Sequence, residues 1–98
     1  MIALIFDVET TGLIKKDQPE PYIIQLSYIL FNLETLTVIE VFDKYISIDE
    51  SIKIPWNVIN ITGITHYRCK TGIPIELAMS HFGQALSKCD LLIAHNYN

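Results

Sequence analysis

Two acidic residues, Asp7 and Glu9, directly follow an apolar stretch at residues 2–6. Side chains two positions apart on an extended strand point to the same side, so these carboxylates can share one ligand. Carboxylate oxygens suit Mg²⁺, which often bridges protein carboxylates to a substrate phosphate. Two such ions about 4 Å apart can stabilise the attacking and leaving oxygens of a phosphodiester bond. A bare pair is more often the solvated end of a strand, but this one lies within an octet at residues 6–13 that also holds a glycine turn.

The first half of the chain has the pattern of a β-meander that would position this pair. Residues 2–6 form a short continuous apolar run, which predicts a strand buried on both faces. Residues 22–31 are rich in β-branched and aromatic side chains, with the polar Gln25 and Ser27 on one side of the pleat. Residues 36–46 predict a third strand, and the short link before it predicts an antiparallel hairpin.

The second half of the chain has a helical pattern. Residues 56–61 predict a short helix that Gly63 ends, and Pro74 opens a longer one, in which Gly83 is expected to allow a close approach to the sheet. The apolar residues of the longer helix recur at a spacing that would place them on one face. They are Ile75, Met79, Phe82 and Leu86. Residues 91–94 predict a last apolar strand.

The resulting order β-β-β-α-α-β predicts an α/β fold, a mixed sheet with helices packed on it. We expect the last strand to lie beside the first, with Asp7 and Glu9 close to its end at Ala94 and His95. A last strand with no helix after it would leave one face of the sheet poorly covered. We therefore expect a chain that is truncated at its C-terminus, or one that meets a partner there.

The composition excludes several classes of protein. The chain has 98 residues, 50% of them hydrophobic, with 18% charged residues and two cysteines, which excludes a disordered tail and argues against a disulfide scaffold. No apolar run reaches the roughly 18 residues of a membrane span, and the N-terminus lacks the features of a signal peptide, so we expect an intracellular protein without membrane contact. The formal charge of -4 argues against nucleic-acid binding by a basic surface alone, although divalent cations can reverse the local sign of a site.

Four segments of the chain carry a family resemblance. The octet at 6–13 reads FDVETTGL, and it is followed by YIIQLS at 22–27, NITGIT at 60–65 and LLIAHNYN at 91–98. In this order they resemble the first motif, the second strand, the TGIT turn and the start of the second motif of the DnaQ-like DEDD 3′-5′ exonucleases. This family belongs to the ribonuclease H-like superfamily, so the resemblance implies a ribonuclease H-like mixed sheet and a nuclease acting on nucleic-acid 3′ ends.

The resemblance also implies roles for single residues. Asp7 and Glu9 match the first two metal-binding, catalytic carboxylates of the family, which hold Mg²⁺ or Mn²⁺ in a two-metal site when the domain is complete. An additional set of residues would bind the substrate, which is a single-stranded or frayed 3′ end. This set comprises Thr10, Thr11, Gly12, Leu13 and Asn96. Within it, the threonine at position 10 would lie near the terminal sugar and the apolar residue at position 13 against the base.

The chain departs from the family pattern after the second motif begins. The aspartate of that motif would follow within two residues of Asn98, and the third motif, with its general base and last aspartate, would lie further on. We therefore expect residues 1–98 to be the N-terminal portion of a single exonuclease domain, with two of the four carboxylates and without the base. A polymerase or a second copy of the chain could complete such a site.

Two other functions stay open at this point. The chain could be a catalytically inactive exonuclease-like fragment that serves as a binding or assembly module. It could also be a haloacid-dehalogenase-like phosphotransferase, whose first strand likewise ends in two acids at i and i+2. That chemistry typically uses a second aspartate as acid and base where Glu9 stands, and its fold would continue strand-helix-strand rather than with a hairpin.

Overall fold

The structure, a computed structural model, describes residues 1–12, 17 and 20–95. Four strands form one sheet in the order β3-β2-β1-β4. Their bounds are β1 Ile2–Thr10, β2 Ile23–Asn32, β3 Thr37–Tyr45 and β4 Leu91–Ala94. The pairs β1–β2 and β2–β3 are antiparallel, and β4 runs parallel to β1 with Ala94 opposite Phe6. The predicted ribonuclease H-like mixed sheet, with the last strand beside the first, is confirmed.

The first strand, β1, is longer than the strand that was predicted from the apolar run. It continues to Thr10, because Asp7 pairs with Ser27 and Glu9 with Gln25 on β2. The two acids therefore lie within a hydrogen-bonded strand rather than beyond its end. Their backbone positions are set by the ladder, which an exposed loop would not provide.

One face of the sheet is covered by a helix, α3, which spans Ile75–Lys88. Between them lies the larger core cluster, whose buried members come from β1, β2, β3, the segment after β3, and α3. They are Leu4, Leu26, Tyr28, Leu30, Phe42, Ile46, Ala78 and Ala85. The hydroxyl of Tyr28 donates a hydrogen bond to Glu40 and a longer one to the carbonyl of His81, so a polar contact also joins this helix to the sheet.

The face that α3 buries agrees with the predicted one only in part. Ile75 and Phe82 pack against the core as predicted, but the fully buried residues are Ala78 and Ala85, and Met79 and Leu86 are 45% and 38% exposed. Alanines let the helix axis approach the sheet closely, which places the larger apolar side chains at the margins of the contact. Gly83 does not provide this approach, since a Cβ added there would meet nothing within 4 Å.

Two short helices enclose a second, smaller core. They are α1, Trp56–Thr62, and α2, His66–Cys69, the second of which the sequence pattern had not predicted. The buried residues of this core are Ile24, Ile54, Val58, Ile64 and Cys69. Gly63 ends α1 with φ of 73°, a left-handed conformation that favours glycine, and this confirms the predicted stop.

A β-bulge on β2 connects the two cores. Thr10 pairs with Ile23 while Glu9 pairs with Gln25, so Ile24 is an extra residue on that strand. Ile23 consequently packs against the larger core together with Leu26, and Ile24 enters the smaller one. The bulge thus sets where the α1–α2 layer meets the sheet.

The face opposite α3 is largely uncovered. Ile29, Val41 and Ile93 lie on it, and Val41 is 65% exposed. This agrees with the predicted poor coverage of one face. Across the residues that the structure describes, no helix is long and apolar enough to cross a membrane.

Candidate active site

Asp7 and Glu9 lie on the uncovered face of the sheet. Leu4, Phe6 and Val8 of the same strand pack towards the core under α3, and side chains alternate along a strand, so the two acids point the other way. Their Cα atoms are about 7 Å apart, because each residue of an antiparallel strand advances about 3.4 Å. Carboxylates at this separation can reach a common cation.

The end of β4 lies beside Asp7. The backbone N–H of His95 donates to the carbonyl oxygen of Phe6 at 2.8 Å, and His95 Nδ1 is 3.8 Å from Asp7 Oδ2. The expectation that Asp7 lies close to the end of this strand is confirmed. Parallel pairing of β1 and β4 is the physical reason, since it brings the carboxyl ends of both strands to one edge of the sheet.

A third acid, Asp43 of β3, lies on the same face two strands away from Asp7. Its Oδ1 accepts hydrogen bonds from Ser27 Oγ at 2.8 Å and from Gln25 Nε2 at 2.9 Å. Since these donors are the cross-strand partners of Asp7 and Glu9, polar side chains form two adjacent rows across the sheet. Asp43 had no predicted role, although the predicted pairing of the second and third strands, extended along β3, places it opposite Ser27.

A shallow cavity of about 300 Å³ follows the first of these rows. Asp7, Ser27, Asp43 and His95 line its polar side. Apolar side chains of the uncovered face line the rest, including Ile5, Ile29 and Val41. The cavity therefore places acids at one end of an apolar surface.

The two predicted metal ligands fit a hard divalent cation. Among the described residues, no lysine or arginine forms an ion pair with Asp7 or Glu9, so their charge is not neutralised by a fixed cationic side chain. Mg²⁺ usually keeps several waters and binds through one or two protein carboxylates together with substrate phosphates. In the same part of the chain no cluster of three or more His, Cys, Asp or Glu side chains is placed to hold a metal.

The threonine-glycine turn after β1 is held by its own hydrogen bonds. The Thr10 hydroxyl donates to the Gly12 carbonyl at 2.6 Å, and Thr11 exchanges hydrogen bonds with the backbone of Tyr22 at 2.9 and 3.0 Å. These contacts fix the turn beside the acids. The other two residues predicted to bind substrate, Leu13 and Asn96, lie outside the described residues.

The sheet order defines a ribonuclease H-like fold, and Asp7 and Glu9 lie side by side on the uncovered face of its first strand. The exonuclease family model RNase_T matches residues 4–98. The chain therefore belongs to this exonuclease family, as the resemblance of its motifs implied. The antiparallel start of the sheet and this match set aside the haloacid-dehalogenase-like alternative.

Solved structures share the fold. Exonuclease I of E. coli in complex with a 5cy-dA13 oligonucleotide aligns with a TM-score of 0.76 and 19% identity over 97% of this chain and 20% of its own. The nuclease domain of 3′hExo, a DEDDh family member, bound to rAMP, aligns with a TM-score of 0.72 and 19% identity over 97% of this chain and 52% of its own. Cell-death related nuclease 4 aligns with a TM-score of 0.70 and 21% identity over 95% of this chain and 34% of its own. The chain thus spans between a fifth and about half of these proteins, and a comparison with curated proteins finds no significant match.

Proposed function

We propose that this chain is the N-terminal portion of a metal-dependent 3′-5′ exonuclease domain that hydrolyses phosphodiester bonds at nucleic-acid 3′ ends. The observation that supports this most is the pair formed by Asp7 and Glu9. It lies on one side of a paired strand, on the uncovered face of the sheet, without a lysine or arginine partner among the described residues. Membership of the exonuclease family supplies the reaction class.

Asp7 and Glu9 would hold Mg²⁺ or Mn²⁺ in this function. A divalent ion bound there supplies Lewis-acid stabilisation of the phosphodiester oxygens and lowers the pKa of a bound water. The turn at Thr10 and Gly12, fixed by its internal hydrogen bond, would meet the sugar of the terminal nucleotide. Leu13 and Asn96 would complete that contact, the first against the base.

The site needs more groups than residues 1–98 hold. Two of the four family carboxylates are present, and no residue matches the general base of the third motif. A base is required because the attacking water must lose a proton. The further ligands and the base would come from additional sequence in the same polypeptide, from a second copy, or from a partner such as a polymerase.

The experiment that tests this function follows single-stranded DNA and RNA oligonucleotides, labelled at the 5′ end or at the 3′ end, with Mg²⁺ or Mn²⁺. A 3′-5′ exonuclease shortens the 5′-labelled strand stepwise and releases the 3′ label at once as a mononucleotide. Asp7→Ala should abolish both signals, whereas Glu76→Ala, which removes an exposed acid of α3 on the other side of the sheet, should not. Cleavage that persists in Asp7→Ala would contradict the assignment.

A second candidate function is a binding or assembly module without catalysis. The exposed apolar side chains beside the acids, with Val41 at 65%, favour this alternative because such a surface suits a protein contact. Absence of any cleavage by the folded chain, with oligonucleotide binding retained, would select the module over an exonuclease that is active by itself.

A further inference from the structure

Arg68, the only arginine of the chain, is held by a tyrosine of the sheet. It lies in α2 and is exposed, and its Nη1 donates a hydrogen bond to the hydroxyl oxygen of Tyr45 at 3.2 Å. Tyr45 is the last residue of β3 and also packs against the smaller core. The guanidinium is therefore placed by a side chain whose own position is set by the sheet.

The sheet register places Tyr45 in the same row as one of the two acids. Glu9 pairs with Gln25, and Gln25 pairs with Tyr45, so the three residues follow one another across β1, β2 and β3. Asp43, two residues before Tyr45 on β3, lines the cavity next to Asp7, which shows that this side of β3 faces the acids. Neighbouring strands are about 4.8 Å apart, so the Cα atom of Tyr45 lies about 10 Å from that of Glu9.

The backbone ties α2 to this row. The N–H of Ile73 donates to the carbonyl oxygen of Tyr45 at 3.0 Å, and the N–H of Gly72 donates to that of Cys69 at 2.9 Å. A Cβ at position 72 would lie 2.5 Å from the Tyr45 carbonyl oxygen, so only glycine allows the chain to approach β3 this closely. Cys69, next to Arg68, is fully buried. The position of Arg68 is thus fixed from the backbone and from its side chain.

Within the described structure, the positive charge of Arg68 is not paired with a carboxylate, unlike the charges of two lysines. Lys70 lies 3.5 Å from Glu50, and Lys88 lies 3.9 Å from Glu40. Among the described residues, no carboxylate lies within 4.0 Å of the Arg68 guanidinium, which donates instead to the hydroxyl oxygen of Tyr45. A guanidinium has five N–H donors in a planar fork that matches a phosphate, and one bond to Tyr45 leaves most of them available.

We propose that Arg68, positioned by Tyr45, binds a backbone phosphate of the single-stranded nucleic acid, upstream of the 3′-terminal nucleotide held at Asp7 and Glu9. This inference rests on the proposed function for the position of the 3′ end. The strand would run from the acids across β2 and β3 to α2. In a chain with a formal charge of -4, one cation beside Tyr45, at the far end of the row that begins at Glu9, also gives the strand a direction.

The test measures equilibrium binding of a fluorescent oligothymidylate to the whole chain without divalent metal, at a series of salt concentrations. One phosphate contact to a single strand contributes about 0.7 to the slope of log K against log salt. Arg68→Ala should lower the magnitude of that slope by about this amount and weaken binding, and Arg68→Lys should restore most of the slope. Tyr45→Phe, which keeps the charge but removes the hydroxyl, should weaken binding less than Arg68→Ala.

Lys70→Ala is the matched control. It removes one positive charge two residues away from Arg68, and Lys70 already forms an ion pair with Glu50. Equal small effects of Arg68→Ala and Lys70→Ala, or no measurable binding by the unsubstituted chain, would overturn the proposal. The proposed function fails separately, since it is read from cleavage in Asp7→Ala. A chain that never cleaves can still show the Arg68-dependent slope, and an active chain can lack it.

Discussion

Ser27 and Asp43 face each other on neighbouring strands and are joined by a hydrogen bond of 2.8 Å from the serine hydroxyl to Oδ1 of the aspartate. The same oxygen accepts the amide of Gln25. Asp43 therefore orients both side chains that stand opposite Asp7 and Glu9. It does so from two strands away, with neutral groups between the three acids.

This arrangement predicts that Asp43→Ala weakens Mn²⁺ binding without removing a ligand. Partners that orient metal ligands typically contribute 10- to 100-fold to affinity, and because Asp43 acts through Ser27 and Gln25, we expect a loss near or below about 10-fold. Calorimetric or spin-resonance titration with Mn²⁺ measures it. Asp49→Ala, which removes an exposed acid bonded to Ser51, is the control, and equal affinities in both variants would argue against a positioning role.

The buried Tyr28 hydroxyl predicts a measurable loss of stability in Tyr28→Phe. The substitution removes the hydrogen bonds to Glu40 and to the His81 carbonyl that join β2, β3 and α3. A hydrogen bond to a charged group contributes about 1.5–3 kcal/mol, so the free energy of unfolding should fall within this range. Urea denaturation measures it, with Tyr67→Phe as a control at an exposed tyrosine, where the change should be close to zero.

The same tyrosine predicts a loss of stability in alkaline solution. Desolvation, followed by the bond to Glu40, raises the pKa of Tyr28 well above its ordinary value near 10. Above pH 10 the unfolded chain therefore loses this proton more readily than the folded one, and the free energy of unfolding decreases as the pH rises. Denaturation midpoints between pH 8 and 11 should fall more steeply in the unsubstituted chain than in Tyr28→Phe. Parallel curves would contradict the assignment.

Two glycines predict opposite effects of the same substitution. Gly83 lies inside α3 with nothing within 4 Å of an added Cβ, so Gly83→Ala should raise the free energy of unfolding by about 1 kcal/mol through helix propensity. Gly72→Ala would place its Cβ 2.5 Å from the Tyr45 carbonyl oxygen and should be destabilising. Thermal unfolding of both variants compares them directly, and a stabilising Gly72→Ala would show that the contact with β3 is looser than described.

Local sequence determined the elements and their order. The apolar run before Asp7, the short link between β2 and β3, and Gly63 after α1 each act within a few residues, and the corresponding elements are found, although β1 continues beyond the apolar run to Thr10. The acid pair was also recognisable from the sequence, because a spacing of two on a strand specifies a shared side whatever the strand packs against.

Tertiary structure decided which side of each element is buried. The apolar stripe of α3 predicted Met79 and Leu86 in the core, but Ala78 and Ala85 are the residues buried against the sheet. How closely the helix can approach the sheet depends on the side chains of both, which the helix sequence alone does not specify. Likewise, Asp43 comes opposite Ser27 through strand register, and Arg68 comes beside Tyr45 through the close contact at Gly72, both of which are set by pairing between distant parts of the chain.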